Sequence, residues 1–278
     1  MVALHKKAKD RKVLQAPQEE SERDSMLIEE RRQHILSIAQ SAGRVRVRAL
    51  SKSLGISQIT IRKDLDYLQM KGLLQRSHGG ALPVQPGASF DPPIQEKEKS
   101  HHTEKDRIGQ AAAGMVQEGQ CVMLDSGTTT TAVAHALKKF SQLTVITNAV
   151  NIAAELTGTN FEVILTGGTL RKNSFSLVGP LAEDMLEEMH ADILFLGVDG
   201  FDMEIGLTTP NLQESRVNRA MVHASAKVVA VCDSTKFNRR SLSRIVSPSA
   251  IHHVITDTNL PTSIAEALSN LNIELTLV

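Results

Sequence analysis

From about residue 100 onward, short apolar runs alternate with segments of helical periodicity, and this alternation constrains the fold more than any other feature of the chain. The runs fall at 121–125, 143–148, 161–166, 192–199, 227–233, 253–256 and 273–278. Helical patterns lie between them at 103–117, 129–139, 149–156, 181–189, 211–226 and 261–270. A strand that is apolar almost throughout, rather than at every second residue, is covered on both faces. Such strands joined by helices make a mostly parallel sheet. The expected class is therefore α/β, with a Rossmann-like, mostly parallel domain over 101–278.

A length of 278 residues accommodates a second domain. Residues 1–24 are polar and charged and read as a disordered basic arm. Over 25–83 the pattern changes. Ile28, Ile35, Ile38, Ala39 and Ala42 recur at helical spacing up to Gly43. A short helix over 49–54 ends at Gly55, and Ser57 is placed to cap another that carries Ile61, Leu65 and Leu68 on one face. Residues 73–82 read as two short strands around Gly79-Gly80. Four prolines from 83 to 100, with a run of alternating Glu and Lys after them, mark 84–100 as a linker or an entry segment to the second domain.

Charge separates the two parts. Residues 1–90 hold 16 Lys and Arg against 9 Asp and Glu, while the remainder holds 15 against 22. A basic module beside an acidic one points to a polyanion as partner of the first. With no Trp and a single Tyr, a base-stacking platform for RNA is disfavoured. The two cysteines lie in apolar runs far from any Cys or His cluster, so reduced thiols are expected, without disulfide, metal or cofactor. No secretory signal or membrane-length apolar stretch is present, and a cytoplasmic location is expected.

Helix, tight turn and helix over 49–70 form a helix-turn-helix signal. With Ile61, Leu65 and Leu68 turned to the core, Ser57, Gln58, Thr60, Arg62 and Lys63 are left at the end that enters a major groove. Amide and hydroxyl groups suit base edges, and Arg62 can fork onto a guanine. Arg44, Arg46, Arg48 and Lys52 can neutralise backbone phosphates. Arg76 and His78 sit where a wing would touch the neighbouring groove. Asp64 and Asp66 read as a surface salt bridge or cap instead.

In the second domain, the first strand ends in Asp125-Ser126-Gly127-Thr128-Thr129-Thr130 and runs into a helix. Small residues let backbone N–H groups approach an anion, hydroxyls add donors, and the helix N-terminus adds partial positive charge. The pattern is neither a Walker A motif nor GxGxxG, and taken alone it is also what an ordinary turn looks like. Asn148, Gly167, Gly168, Arg171 and Asp199 lie at later strand ends, where ligands bind in parallel sheets. Arg171 and Lys236 are the cations suited to a ligand phosphate.

Arg31-Arg32-Gln33-His34-Ile35-Leu36, Ile56-Ser57-Gln58-Ile59-Thr60-Ile61-Arg62-Lys63-Asp64-Leu65 and His78-Gly79-Gly80-Ala81 together resemble the DeoR family of bacterial regulators. The resemblance implies a winged helix-turn-helix domain followed by a sensor domain similar to ribose-5-phosphate isomerase. Within that likeness, Ser126–Thr130 resembles the isomerase phosphate loop, Asp199 and Asp202 its paired aspartates, Glu214 its catalytic carboxylate, and Asp233-Ser234-Thr235-Lys236 its lysine motif. Where the isomerases carry a Lys-Gly-Gly-Gly loop, this chain has Gly206-Leu207-Thr208-Thr209-Pro210. Proton shuttling needs a base and a group that stabilises the enediolate, so loss of that lysine predicts binding without turnover.

The expectation is thus a sequence-specific regulator, a repressor of a carbohydrate-catabolism operon. It would bind double-stranded operator DNA as a homo-oligomer, without catalytic residues, under control of a phosphorylated sugar. The alternative is an isomerase-like enzyme with an accessory DNA-binding domain, using Asp199, Asp202 and Glu214 as its acid/base set.

Overall fold

A computed structural model describes residues 18–83 and 87–278, with backbone alone at 18–27, 40 and 41. The chain divides into two compact units, Met1–Pro86 and Gly87–Val278.

The first unit contains α1 (Gln18–Ala42), β1 (Val45–Arg46), α2 (Val47–Leu54), α3 (Gln58–Met70), β2 (Leu74–Ser77) and β3 (Gly80–Pro83). Its antiparallel sheet has the order β1-β3-β2. The expected arm lies outside the described residues over 1–17, but from Gln18 the backbone is already helical, eight residues before the apolar pattern begins at Met26. Gln, Glu and Arg are strong helix formers, and without an apolar stripe they leave periodicity nothing to detect. The second helix likewise starts at Val47 rather than 49. Ile35, Ala39, Val45, Val47, Leu50, Ile61, Leu65, Leu68, Leu74 and Ala81 close the core. Ala42, expected on the apolar face of α1, is exposed.

The second unit runs α4 (Ile94–Glu98), α5 (His102–Ala113), β4 (Cys121–Leu124), α6 (Thr128–Leu137), β5 (Thr144–Thr147), α7 (Val150–Leu156) and β6 (Glu162–Leu165). There follow β7 (Thr169–Arg171), β8 (Ser176–Val178), α8 (Pro180–Glu187), β9 (Ala191–Gly197), β10 (Gly200–Asp202), β11 (Gly206–Thr209) and α9 (Leu212–His223). The chain closes with β12 (Ser225–Val231), β13 (Ser243–Val246), β14 (His253–Thr256), α10 (Thr262–Asn270) and β15 (Glu274–Leu277). Seven strands form one sheet in the order β15-β14-β12-β9-β4-β5-β6, and every pair in it is parallel.

Alternate residues of the central strands serve opposite faces. Met123, Leu194, Val228 and Ala230 pack with residues of α8, α9 and α10 on one side. Val122, Leu124, Ile193, Phe195, Val229 and Val231 pack with α5, α6 and α7 on the other. Leu194, Phe195 and Val229 are fully buried, and each such side chain contributes roughly 1.5–3 kcal/mol over an exposed one. The doubly covered sheet predicted from the apolar runs is what the chain forms.

Two antiparallel additions carry no such signature. The β7–β8 hairpin leaves the end of β6, and β10, β11 and β13 form a separate sheet. Gly206-Leu207-Thr208-Thr209, expected as a loop, is β11, buried at every position. Residues 87–100 are also not a free linker. They belong to the second unit, with Ile94 buried at 2% exposure. Cys232 is buried and Cys121 half-buried, both as free thiols. Among the described residues, no helix is long and apolar enough to cross a membrane, and no His, Cys, Asp and Glu cluster could hold a metal ion.

Candidate functional site

In the first unit, Ser57 caps α3 by accepting from the Thr60 amide at 3.2 Å, with its hydroxyl 2.9 Å from that of Thr60. The start of α3 is thereby fixed, and Gln58, Arg62 and Lys63 project from it, exposed. Thr60 is half-buried, and the Ser57 hydroxyl serves the cap. Arg44, Arg46, Arg48, Lys52 and His78 are exposed as well. Ile59 is 66% exposed on the same helix end. Sequence reasoning passed over it as one more apolar residue, yet an aliphatic side chain there suits a thymine methyl.

Asp64 is not the surface group expected. It is 1% exposed and accepts from Arg31 Nε at 2.6 Å and Arg32 Nε at 3.0 Å, tying α1 to α3. Arg32 also lies over the Tyr67 ring, 3.7 Å from its centroid. The Arg31-Arg32 pair is therefore committed to the frame of the unit. Arg76, expected at the neighbouring groove, is half-buried and pairs with Asp66 at 3.0 Å. The wing turn depends on its glycines. A Cβ on Gly80 would lie 1.9 Å from the Val45 carbonyl oxygen, and Gly79 sits at φ +77°.

In the second unit, a cleft of about 90 Å³ opens at the carboxyl ends of β4 and β9. Ser126, Gly127, Thr128 and Thr129 form one wall, at the N-terminus of α6. Asp125, Asp199, Glu214 and Lys236 also line it. Thr130 lies behind this wall, its hydroxyl donating to the Gly127 carbonyl at 3.0 Å. Asn148 is fully buried and donates to the Leu177 carbonyl at 3.3 Å, holding β8 rather than facing the cleft. Gly168, at φ +125°, lies so close under Val178 that a Cβ would be 2.6 Å from its carbonyl oxygen. Gly167 packs against Leu181. These two glycines set the hairpin that delivers Arg171.

The expected pair of aspartates separates. Asp199 accepts from Lys97 Nζ at 2.7 Å and from the Thr209 hydroxyl at 3.3 Å inside the cleft. Asp202 lies outside it, caps the amides of Glu204 and Ile205, and pairs with Arg240 at 2.6 Å. A strand-to-turn reversal at β10 takes it away, which spacing alone does not reveal.

Glu214 is saturated. Its Oε1 accepts from Arg171 Nη1 at 2.9 Å, Ser174 at 2.5 Å and Ser176 at 3.1 Å, and its Oε2 from Thr209 at 3.3 Å. Arg171 donates at the same time to Asp91. Burial, with Glu214 and Asp199 nearby, holds the Asp125 carboxyl well above the usual range. For Asp199, burial acts in the same upward direction, but Lys97 and Lys236 outweigh it and leave its value low. Lys236 makes no direct ion pair among the described residues; it lines the cleft, where its charge acts on Asp199 and Asp233.

Three further contributors were missed: Lys97, Lys105 and Asn218. Lys105 is 6% exposed, donates to the carbonyls of Lys97 and Ser100 at 2.6 Å each, and is lowered by burial to about 8. Its helical register on α5 beside buried Ile108 was the one available signal. With its amide nitrogen facing Asp125, Asn218 donates to Oδ1 at 3.1 Å. Cations, hydroxyls and a helix N-terminus around one cleft are an anion site in composition.

Two family descriptions match this chain. The DeoR-like helix-turn-helix domain covers residues 31–86, and the DeoR C terminal sensor domain covers 100–258. The chain belongs to the DeoR family. Like other members, it is a DNA-binding transcription regulator. The HTH-type transcriptional regulator GlpR of Haloferax volcanii is 40% identical over 88% of this chain and 96% of that protein. The glycerol-3-phosphate regulon repressor of Escherichia coli K12 is 32% identical over 89% and 98%. Among solved structures, ribose 5 phosphate isomerase A from Neisseria gonorrhoeae is a distant likeness, at 17% identity and a TM-score of 0.35 over 49% of this chain and 53% of that one.

Proposed function

We propose that this DeoR-family regulator is a repressor of a carbohydrate-catabolism operon whose hold on duplex operator DNA changes when a phosphorylated sugar occupies the cleft. The observation that carries the reading is the placement of Ser126–Thr129 at the N-terminus of α6, facing Lys236. Phosphate accepts from the loop amides and hydroxyls, while Asp199 and Asn218 take sugar hydroxyls. The relatives named for glycerol-3-phosphate support a small phosphorylated polyol or sugar. A cytoplasmic homo-oligomer, with two reading helices on two half-sites, suits this task.

The same cleft is catalytically silent. A base must be free to take a carbon-bound proton, whereas Glu214 accepts from one guanidinium and three hydroxyls. Thermal unfolding with glucose 6-phosphate, glucosamine 6-phosphate and glycerol 3-phosphate tests the reading, since a ligand bound to the folded state raises its stability. At least one compound raises Tm while none is isomerised. Isomerisation abolished in Glu214→Gln would establish the enzyme reading instead.

A further inference from the structure

Residues 87–100 form a strap against the cleft, held by two ionic attachments, one of them between groups that line the cleft. Asp91 pairs with Arg171, and Lys97 pairs with Asp199 at 2.7 Å. Backbone bonds complete the attachment. The Ile94 amide donates to the Asn173 carbonyl at 2.7 Å, the Leu242 amide donates to the Ala88 carbonyl at 2.8 Å, and Lys105 holds the carbonyls of Lys97 and Ser100. Ile94, Lys97 and Ser100 line the cleft, so the strap takes up part of its volume. The remaining 90 Å³ is well below the roughly 300 Å³ of a site that encloses a small molecule. A sugar phosphate entering the cleft therefore meets the strap at Ile94, Lys97 and Ser100.

Lys97 and Asp199 both line the cleft, so a phosphate dianion bound there competes with the Asp199 carboxylate for the Lys97 ammonium. Gly87, at the other end of the strap, directly continues the chain that leaves the DNA-reading unit. Binding at one site alters the other only if the ligand distinguishes two states of a connecting element. The strap supplies those states, docked and released.

We propose that residues 87–100 are an anion-displaceable latch: the ligand's phosphate, seated at the α6 N-terminus, takes Lys97 from Asp199, and release of the strap resets operator affinity. This rests on the cleft being a sugar-phosphate site. The test is arranged so that the two ideas fail separately. Asp91→Asn is compared with wild type, without any sugar, on an operator duplex selected by the wild-type protein from a randomised pool. Amide exchange at Ile94 and its neighbours accelerates at least tenfold in the variant, and operator Kd changes at least fivefold. Lys97→Gln, as the second variant, gives the same pair of effects, with circular dichroism confirming the fold of each. Faster exchange with operator Kd within twofold of wild type overturns the latch, as does unchanged exchange in both variants. Failure of glucose 6-phosphate, glucosamine 6-phosphate, glycerol 3-phosphate and inorganic phosphate to raise wild-type Tm overturns the ligand reading instead, and with it the competition step.

Discussion

Arg171 donates to Glu214 across 2.9 Å, and the same guanidinium carries Asp91, so one side chain both holds a buried carboxylate and pins the strap. The β7–β8 hairpin places this arginine at the end of β7. Removing one partner of a buried ion pair leaves an uncompensated charge. Arg171→Met is accordingly expected to lose about 2–4 kcal/mol in urea denaturation, at the lower end if the three hydroxyls on Glu214 absorb part of the loss. The double variant Arg171→Met with Glu214→Gln recovers much of that stability. No recovery would show that the arginine acts through packing alone.

On the reading helix, Arg62→Ala is expected to cost about 1–3 kcal/mol of operator binding and to relax one base position. Ile59→Ala weakens discrimination at a thymine while leaving the salt dependence intact. Lys63→Ala instead lowers the salt slope by about one, uniformly across sequences. Fluorescence anisotropy over a salt series separates the three. Identical behaviour of all three variants would mean that α3 makes phosphate contacts only.

The wing offers a stability test. Gly80→Ala drives a methyl into the Val45 carbonyl, and forced overpacking typically costs 1–3 kcal/mol. Operator affinity should fall with it, because β1 and β3 separate where Arg46 pairs with Gly80. A variant with wild-type stability would show that the backbone yields freely there.

Lys105 gives a signed pH dependence. Burial lowers it from 10.5 to about 8, so between those values the unfolded chain binds more protons and stability rises with pH. The slope from one group is at most about 1.4 kcal/mol per pH unit. Lys105→Met removes this contribution, so wild-type stability minus that of Lys105→Met should rise from pH 8 to pH 10.5. A difference that stays constant over that range would place the Lys105 pKa near its ordinary value.

The sequence made the framework legible wherever burial dictated composition. The five inner strands of the large sheet are apolar runs, because both faces are covered, while the edge strands β6 and β15 keep exposed ends, and Ser57 announced the start of α3 as a hydroxyl before an apolar periodicity. What stayed hidden depends on long-range pairing. Asp64 gave no sign that Arg31 and Arg32, more than thirty positions away, would bury it. Asp202 left the cleft because the chain reverses at β10, and β11 looked like a loop because Gly and Thr carry little apolar signal. The strap was misread for the same reason: prolines and a run of Glu and Lys describe a solvated linker unless one knows that Asp199 and Arg171 are waiting.

The most direct measurement is operator binding by the full-length protein at fixed salt, titrated with the sugar phosphate that raises Tm most, in wild type and in Thr128→Val. Wild type is predicted to change its operator Kd at least tenfold on addition, while Thr128→Val binds the operator normally and does not respond. Wild-type affinity that stays constant through saturation of the cleft, or a full response in Thr128→Val, would contradict the account.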